Sequence, residues 1–515
     1  MQFQEKEFLP VILGADITAY SLARSFHEEY GIKSLVLSMS EGGYIANSDI
    51  IENRIFPGLE NKDVLVKHLI EVGKEFEGKK KLIVLGCGDW YVRALIESKK
   101  ELSPYYIIPY IDVDLLNKIV LKDKFYEIFE ELGLNYPKTY VYECGKENDL
   151  KFDFDYPVIA KPANSAMYHY AKFDGKKKVF RFNNEEELRD MLAKLEKSSY
   201  DYKFLIQDCI PGDDTYMRVL TCYCDQNHKV RFASLGRTLL EDHTPTAIGN
   251  PVAIVNEVNP EIVAAATKFL EHIGYTGFAN FDIKYDERDG KFKFFEINVR
   301  LGRSNFYVTG SGFNTVKWIV DDYIYNKLDD YTVADNINLY TVVPKGVIKK
   351  YVPDSDFKSL ALKLWSEGKV SEPLFYSADH NLKHNFYARA AYINQFRKFR
   401  KYFDNTHPAL FCRPLEYLRT LRDVKNARLH AFSEIFKQRF LRIIRTPHAF
   451  IVLSSTFVHF GASKTHGYTH SQKYLELRFL KITRTPHFLP SSRVPSYTSG
   501  RQKRTATRIL RNIWY

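Results

Sequence analysis

The segment between residues 278 and 303 constrains the fold of this chain more than any other part of the sequence. Two aromatic-rich runs, residues 278–284 and 294–303, lie on either side of the connection Glu-Arg-Asp-Gly. Asp-Gly is a strong short-range signal for a β-hairpin when β-forming residues flank it. The sequence therefore predicts two antiparallel strands joined by a tight turn.

The polar residues of this predicted hairpin alternate with apolar ones. Side chains two residues apart point to the same side of a strand, so Glu296 and Asn298 share a face. If the strand register places Asp282 opposite them, the three side chains form an oxygen cluster of the kind that Mg²⁺ prefers, with positions left for water and phosphate. A solvent-exposed face is the alternative. The apolar neighbours of the carboxylates and the nearby Arg300 favour a metal site.

Two parts of this segment carry a resemblance to a known superfamily. The sequences Asp-Ile-Lys at 282–284 and Phe-Glu-Ile-Asn-Val-Arg at 295–300 resemble the metal-binding hairpin of ATP-grasp enzymes. This superfamily includes D-alanine–D-alanine ligase, biotin carboxylase and other ligases that join a carboxylate to an amine or a thiol. The sequence Arg-Leu-Gly-Arg-Ser-Asn-Phe-Tyr-Val-Thr-Gly at 300–310 is similar to the D-aspartate ligase group, which builds cross-bridges on peptidoglycan precursors. By element order, the resemblance extends up to the C-terminal tail.

The N-terminal part of the chain alternates strand-like and helix-like segments. Such alternation predicts an α/β domain with a doubly wound parallel sheet. Gly14 and the sequence Gly86-x-Gly88 follow two of the predicted strands, at the edge where open sheets of this kind bind ligands. The resemblance implies a substrate role for these loops, and packing turns are the alternative. The predicted strands are residues 8–13, 33–37, 81–85 and 106–110.

Pattern and resemblance together predict the fold class and the domains. We expect an α/β protein with α+β lobes, in which a doubly wound domain precedes an ATP-grasp fold and a basic, poorly ordered tail follows it. The expected domains are residues 1–112 for the N-terminal domain, 113–205 and 206–330 for the two ATP-grasp lobes, 331–404 for an α/β extension, and 405–515 for the tail.

Two lysines, Lys124 and Lys161, match the ATP-phosphate lysines of ATP-grasp enzymes. Lys161 ends an apolar strand and precedes Pro162, a place where a lysine buries its stem and aims its ammonium group at a phosphate. Lys124 lies in a predicted amphipathic helix, where an exposed lysine is an equally good interpretation. The loop at 163–169 lacks the usual glycine-rich sequence, so its phosphate contacts stay open.

The segment after residue 206 resembles the hinge between the two ATP-grasp lobes. The resemblance implies that backbone groups of Asp208 and Ile210 contact adenine, next to Gln207. It also implies that Asp214 binds the ribose hydroxyls. A tight turn is the alternative interpretation of the sequence Pro-Gly-Asp-Asp that ends at Asp214.

Three arginines complete the predicted catalytic set. Arg300 follows the metal hairpin, and Arg303 lies in the next loop, where we expect it to hold the carboxylate of the acceptor amino acid. Arg218 and Arg237 interrupt apolar stretches, so one or both are expected to bind a carboxylate or a phosphate bidentately, with Arg237 placed in the catalytic set. A surface position is the alternative for Arg218.

Charge divides the chain into two parts. Residues 405–515 contain 20 Lys and Arg against 4 Asp and Glu, whereas the first 404 residues contain 54 and 59. The mildly acidic body does not favour a nucleic-acid partner. The tail contains two copies of the sequence Arg-Phe-Leu-x-Ile-x-Arg-Thr-Pro-His, too few for a repeat fold. We expect a non-homologous, largely unfolded extension beyond Phe403, with binding to anionic lipid or nucleic acid as the alternative.

The remaining features indicate a cytoplasmic protein. The six cysteines are scattered and form no Cys-x-x-Cys pair, which favours reduced thiols over disulfides or a metal site. The N-terminus has no basic region followed by an apolar core, so no signal peptide is expected. No segment is long and apolar enough to predict a transmembrane helix. The sequence leaves the oligomeric state open.

The function that the resemblance implies is ATP-dependent amide-bond formation from small-molecule carboxylate and amine substrates. ATP, carried by two Mg²⁺ ions with Mn²⁺ as an alternative, phosphorylates a carboxylate to an acyl phosphate, which an amine then attacks. If the resemblance extends to the substrates, the acid is D-aspartate and the amine belongs to the third stem residue of a peptidoglycan precursor. Another ATP-grasp amino-acid or peptide ligase and a non-catalytic nucleotide-binding protein are the alternatives.

Overall fold

The N-terminal region is an α/β domain, as the alternating pattern predicts. A computed structural model describes residues 6–245 and 247–406. The strands of the first domain are β1 (Phe8–Leu13), β2 (Ser34–Ser38), β3 (Ile51–Ile55), β4 (Lys81–Gly86) and β5 (Tyr106–Ile107). Its helices are α1 (Ile17–Tyr30), α2 (Lys62–Phe76), α3 (Asp89–Glu97) and α4 (Lys99–Leu102). The strands form a parallel sheet in the order β3-β2-β1-β4-β5. Strand β3 is absent from the predicted set because three polar residues occupy its centre.

Two loops at the carboxyl edge of this sheet lie against each other. Gly14 follows β1 with a φ of +139°, and a Cβ atom at this position would lie 2.9 Å from Cβ of Cys87, which follows β4. Asp16 then starts α1, because its carboxylate accepts hydrogen bonds from the amides of Thr18 (3.0 Å) and Ala19 (3.4 Å). The backbone conformation and this close approach support the packing interpretation for Gly14.

The next region is a small lobe with an antiparallel sheet. Its helices are α5 (Val113–Val120), α6 (Lys122–Glu131), α7 (Ser165–Tyr170) and α8 (Glu185–Glu196). Its strands are β6 (Thr139–Glu143), β7 (Val158–Pro162), β8 (Phe180–Phe182) and β9 (Lys203–Asp208). The strands pair in the order β6-β9-β7-β8 around a core that includes Tyr168, Phe180 and Phe204. This sheet brings the end of β7, where Lys161 lies, next to β9, which leads into the hinge.

A large, mostly antiparallel sheet forms the second lobe and contains the hairpin. Its strands are β10 (Met217–Cys224), β11 (Val230–Glu241), β12 (Pro251–Glu257), β13 (Gly277–Asp286), β14 (Lys291–Asn298), β15 (Thr332–Val333), β16 (Leu339–Thr341) and β17 (Val370–Ser371). The order is β14-β13-β10-β11-β12-β16-β17, and β15 pairs with β11. The helices that follow β12 are α9 (Pro260–His272), α10 (Phe306–Gly310), α11 (Thr315–Val320), α12 (Lys345–Tyr351) and α13 (Asp356–Ser366). Asn259 caps α9 through the amides of Glu261 and Ile262.

The region after residue 330 is joined to both neighbouring parts of the fold. Strands β15, β16 and β17 add to the large sheet, and the long helix α14 (Leu382–Thr406) follows them. Before α14, the buried carboxylate of Asp379 accepts hydrogen bonds from the hydroxyls of Tyr20 (3.1 Å) and Ser48 (2.6 Å) and from the amide of Asp49 (3.0 Å). These bonds fix the extension to the N-terminal domain. The predicted tail lies outside the described residues except for the last residues of α14.

None of the helices in the described part of the chain is long and apolar enough to cross a membrane.

Replacing Asp379 with alanine should destabilise the protein without touching the hairpin. Two buried hydroxyl donors and one amide would lose a charged acceptor, so we expect the free energy of unfolding to fall by about 3 kcal/mol. Urea denaturation monitored by tryptophan fluorescence measures the change. Asp330→Ala, at an exposed aspartate, is the matched control and should change the free energy by less than about 0.5 kcal/mol. Equal effects of the two substitutions would contradict this role of Asp379.

Candidate active site

The hairpin places the three predicted metal-binding side chains together. Strands β13 and β14 pair Asp282 directly with Glu296, and Asn280 with Asn298. The side-chain amide of Asn298 lies 3.5 Å from Oδ2 of Asp282. A β-bulge between Asp282 and Ile283 then shifts the register for the rest of the hairpin. Two carboxylates and one side-chain amide therefore face each other at the end of the hairpin that is remote from its turn.

The two carboxylates and the amide of this cluster are suitable ligands for a metal cation. Lys122 Nζ lies 2.8 Å from Oε2 of Glu296, and this ammonium holds the pKa of Glu296 at about 2. Burial and the neighbouring Glu296 carboxylate raise the pKa of Asp282 to about 7. An opposed pair of carboxylates is stabilised by a bound cation, and carboxylate and amide oxygens are the hard ligands that Mg²⁺ and Mn²⁺ prefer. The donor set thus fits the metal that the fold implies.

Lys161 lies in the same cluster of charges. Its Nζ is 5.3 Å from the ring centroid of Phe295, the residue before Glu296. Burial and the nearby Lys122 ammonium lower the pKa of Lys161 to about 8, although Glu296 and Asp282 act in the opposite direction. The strand end therefore holds the amine close to both carboxylates, in the position that the sequence predicts for an ATP-phosphate lysine.

Two further lysines reach this cluster, and the sequence pattern does not single them out. Lys122 is the first residue of α6, and Lys178 lies in the segment between α7 and β8. Lys178 acts electrostatically on Lys161, Asp282 and Glu296. The only sequence signal for either lysine is its position next to a predicted phosphate-binding element.

Lys124 points elsewhere. Its Nζ lies 2.8 Å from both carboxylate oxygens of Glu127, one turn further along α6, and both side chains are exposed. Residues two apart on a helix are separated by about 200° around its axis, so Lys122 and Lys124 face different directions. The lysine of α6 that contacts the carboxylate cluster is therefore Lys122, and the expectation for Lys124 is corrected accordingly.

The hairpin also holds the hinge between the lobes. Lys284 Nζ donates hydrogen bonds to the backbone carbonyls of Ile210 (2.9 Å) and Gly212 (2.8 Å). In the turn of the hairpin, Arg288 Nη1 lies 3.0 Å from Oδ1 of Asp208, and the pair is bidentate. The side chain of Asp208 is therefore engaged within the protein.

The other two predicted nucleotide-binding side chains also have partners. The buried Gln207 donates from Nε2 to the hydroxyl of Thr139 at 2.7 Å. The carboxylate of Asp214 accepts a hydrogen bond from the amide of Glu241 at 3.0 Å and lies 3.2 Å from His243 Nε2. Burial, together with the charge of Asp214, raises the pKa of Glu241 to about 8. These contacts tie the start of the 241–250 loop to the hinge.

Arg300 connects the hairpin with the N-terminal domain. Its Nε donates to Oδ1 of Asp89 at 2.7 Å, and its Nη1 donates to the carbonyl of Leu301 at 3.1 Å. Asp89 begins α3, directly after the Gly86-x-Gly88 loop at the end of β4. The positive charge of Arg300 also acts to lower the pKa of Asp282, against the effects of burial and Glu296. The structure thus brings the loop of the first domain next to the metal-binding cluster.

Arg303, in the loop that follows the hairpin, lines a cavity. The cavity lies between the N-terminal domain, the loop after β11 and helix α14, and Tyr44, Asp242 and Tyr340 also line it. The predicted role of Arg303, holding the carboxylate of the acceptor amino acid, stays a prediction.

Arg237 lies away from the cluster, contrary to its predicted catalytic role. Strand β11 pairs Arg237 with Arg218, and β10 pairs Arg218 with Ile283. Directly paired residues share a face of a sheet, so Arg237 is on the opposite face from Asp282. There its Nε donates to Oε2 of Glu257 at 2.8 Å. Arg218 is buried and contacts the same carboxylate, so its surface interpretation is also wrong.

Comparison with solved structures bears on the fold of the chain. No protein-family model matches the chain. The biotin carboxylase domain of Hydrogenobacter thermophilus 2-oxoglutarate carboxylase, solved with MgADP, ADP and bicarbonate, has a TM-score of 0.50 and 14% identity, over 65% of this chain and 73% of that chain. The L-amino acid ligase of Bacillus licheniformis has a TM-score of 0.44 and 16% identity, over 62% of this chain and 75% of that one. The chain has the ATP-grasp fold.

A relative of higher identity defines the family within that class. The D-aspartate ligase of Enterococcus faecium (strain Aus0004) is 37% identical over 411 residues, which are 78% of this chain and 98% of the relative. The chain belongs to the D-aspartate ligase family. The protein is thus an ATP-dependent ligase that joins a carboxylate to an amine.

The two lysines of α6 offer a matched test of the site. Lys122→Met should weaken binding of Mg²⁺ with a non-hydrolysable ATP analogue by about tenfold or more, because it removes the positive charge that pairs with Glu296. Lys124→Met removes an exposed ion pair and should change binding by less than about twofold. Isothermal titration calorimetry measures both. The reverse order of effects would assign the role to Lys124.

Proposed function

We propose that this protein is a D-aspartate ligase that acts on a peptidoglycan precursor. The observation that carries the proposal is the 37% identity to a D-aspartate ligase, of which the matched region spans 98%. The acid substrate would be D-aspartate, and the amine would be the side-chain amine of the third residue in the stem peptide. The arrangement of lysines, carboxylates and arginines around the hairpin supports the same reaction class.

The proposed nucleotide site runs along the hinge. Backbone groups of Asp208 and Ile210 contact adenine, and Asp214 contacts the ribose. The anchoring of this segment by Lys284 and Arg288 supports the assignment, because a backbone that reads a base must be held in place. Gln207 holds β6 through Thr139 and takes a supporting role.

The proposed phosphate and metal site is the charge cluster at the hairpin. Asp282, Glu296 and Asn298 would hold Mg²⁺, which is expected as two ions. Mn²⁺ is the alternative metal. Magnesium bound there neutralises charge on the terminal phosphates of ATP. Lys161 and Lys122 contribute fixed positive charges on the same side, which is the main catalytic requirement of phosphoryl transfer.

Two bond-forming steps account for the proposed reaction. A carboxylate oxygen of D-aspartate attacks the γ-phosphorus of ATP, the bond to the bridging oxygen breaks, and ADP leaves. The amine then attacks the carbonyl carbon of the acyl phosphate, phosphate leaves, and the nitrogen loses a proton. Arg300, held by Asp89 beside the carboxylate cluster, stabilises the negative charge that develops in these steps. Arg303 binds a carboxylate of the amino acid in the adjoining cavity.

An ADP-release assay with a panel of D- and L-amino acids and a lysine-containing peptidoglycan precursor tests this proposal. We expect turnover only when D-aspartate and the precursor are present together, and L-aspartate serves as the control. Hydroxylamine in place of the precursor should yield aspartyl hydroxamate, the product expected from an acyl phosphate. Turnover with another amino acid, or none with D-aspartate, would overturn the substrate assignment.

Glu296→Gln should abolish ligase turnover while the protein still binds ATP in the absence of Mg²⁺. The substitution keeps the size of the side chain but removes the charge that faces Asp282 and Lys122, and loss of such a group costs about 10²-fold or more in rate. Turnover and nucleotide binding are measured on the same preparation, with Glu261→Gln on the exposed side of α9 as the control. Near-normal turnover of the Glu296 variant would refute the metal assignment.

A further inference from the structure

Helix α14 contributes two polar side chains to the cavity that contains Arg303. Gln395 and Lys398 lie one turn apart on α14, and both line the cavity together with Asp242. The helix belongs to the extension after residue 330, about ninety residues beyond the hairpin in sequence. The cavity is therefore built by three separate parts of the chain.

Gln395, which lines this cavity, has an unused hydrogen-bond acceptor. Its side chain is only 7% exposed, and among the described residues Oε1 accepts no hydrogen bond. Buried carbonyl oxygens of this kind almost always have a donor. An ammonium group of a bound ligand would supply it, and the carboxylate of Asp242, which also lines the cavity, would share the positive charge.

Aromatic contacts hold α14 over the cavity. Phe399 and Phe403 lie 6.0 and 4.7 Å from the ring of His243, measured between ring centroids, and His243 follows Asp242 directly. At the other side of the cavity, Tyr392 packs edge-on against Phe375 at 5.0 Å. Contacts on both sides of Gln395 fix its position, as a binding residue requires.

The charges in the cavity match one class of ligand. Arg303 and Lys398 are cationic, whereas Asp242 and the oxygen of Gln395 attract a donor. An amino dicarboxylic acid that reacts through one carboxylate presents an ammonium group and a second carboxylate at its other end. The carboxylate at this end requires a cationic partner, and the ammonium group requires a hydrogen-bond acceptor. The residues that line the cavity supply both.

We propose that Gln395 and Lys398 bind the non-reacting end of the amino-acid substrate. Gln395 Oε1 accepts a hydrogen bond from the ammonium group, and Lys398, together with Arg303, binds the second carboxylate. The inference rests on the proposed function, because it assumes that D-aspartate is the acid. It extends that function by placing amino-acid selection in the C-terminal helix.

Steady-state kinetics of two variants and two controls test the inference. Lys398→Met and Gln395→Leu should each raise KM for D-aspartate by about tenfold or more, with KM for ATP changed by less than about twofold. The controls are Arg397→Met and Asn394→Leu, at exposed neighbours on the same helix, and they should leave both constants unchanged. Thermal melting of all four variants checks that the fold is retained.

Succinate separates binding of the ammonium group from a general loss of structure. It carries both carboxylates of aspartate but no ammonium group. As a competitive inhibitor against D-aspartate, succinate should bind Gln395→Leu as well as it binds the wild type, whereas Lys398→Met should bind it about tenfold more weakly. An equal loss of affinity for D-aspartate and for succinate in Gln395→Leu would show a structural role and overturn the assignment of Gln395.

The outcomes also distinguish this inference from the proposed function. If the wild type turns over D-aspartate and both variants keep its KM, the inference fails and the proposed function stands. If the wild type shows no turnover with D-aspartate, the proposed function fails and the inference fails with it. A rise in KM for D-aspartate that is confined to the two cavity variants supports both.

Discussion

The opposed pair of carboxylates in the hairpin is the interaction on which the rest of the site depends. Asp282 and Glu296 face each other across two strands, and two negative charges in a mostly buried place require compensation. Lys122 supplies the nearest positive charge. Lys161 comes from a different sheet, and Arg300 is held by the first domain. The three domains therefore meet at this charge cluster.

The same hairpin also controls the hinge, because its polar face continues toward the turn. Lys284 and Arg288 hold the segment at 208–212, whereas Asp282 lies at the metal end of the same strand. A shift of one residue in strand register would move all of these side chains to the other face of the sheet. The register of a single pair of strands thus fixes the adenine end and the phosphate end of the proposed nucleotide site relative to each other.

Sequence reasoning succeeds where local pattern determines geometry. The Asp-Gly turn and the alternation of side chains were sufficient to predict the hairpin, but the pairing of Asp282 with Glu296 also depends on the β-bulge between Asp282 and Ile283. It fails where a partner comes from a distant element. Arg237 interrupts an apolar strand because Glu257 neutralises it on the far face of the sheet, and no local pattern reveals that carboxylate. Lys122 precedes the matched Lys124 by two residues, and only the orientation of α6 selects between them.

The extension after residue 330 explains why the hairpin sequence indicates the type of reaction more directly than it indicates the identity of the substrate. The proposed phosphoryl transfer needs metal ligands, and the predicted ligands lie within the hairpin, where their spacing is legible in the sequence. The cavity that contains Arg303 is closed by α14, whose position depends on Asp379, on aromatic contacts and on strands added to the large sheet. An amino acid bound there would meet side chains that no hairpin motif specifies. In the proposed reaction, the side chains that select the acid would therefore come from an element that is separate from the hairpin.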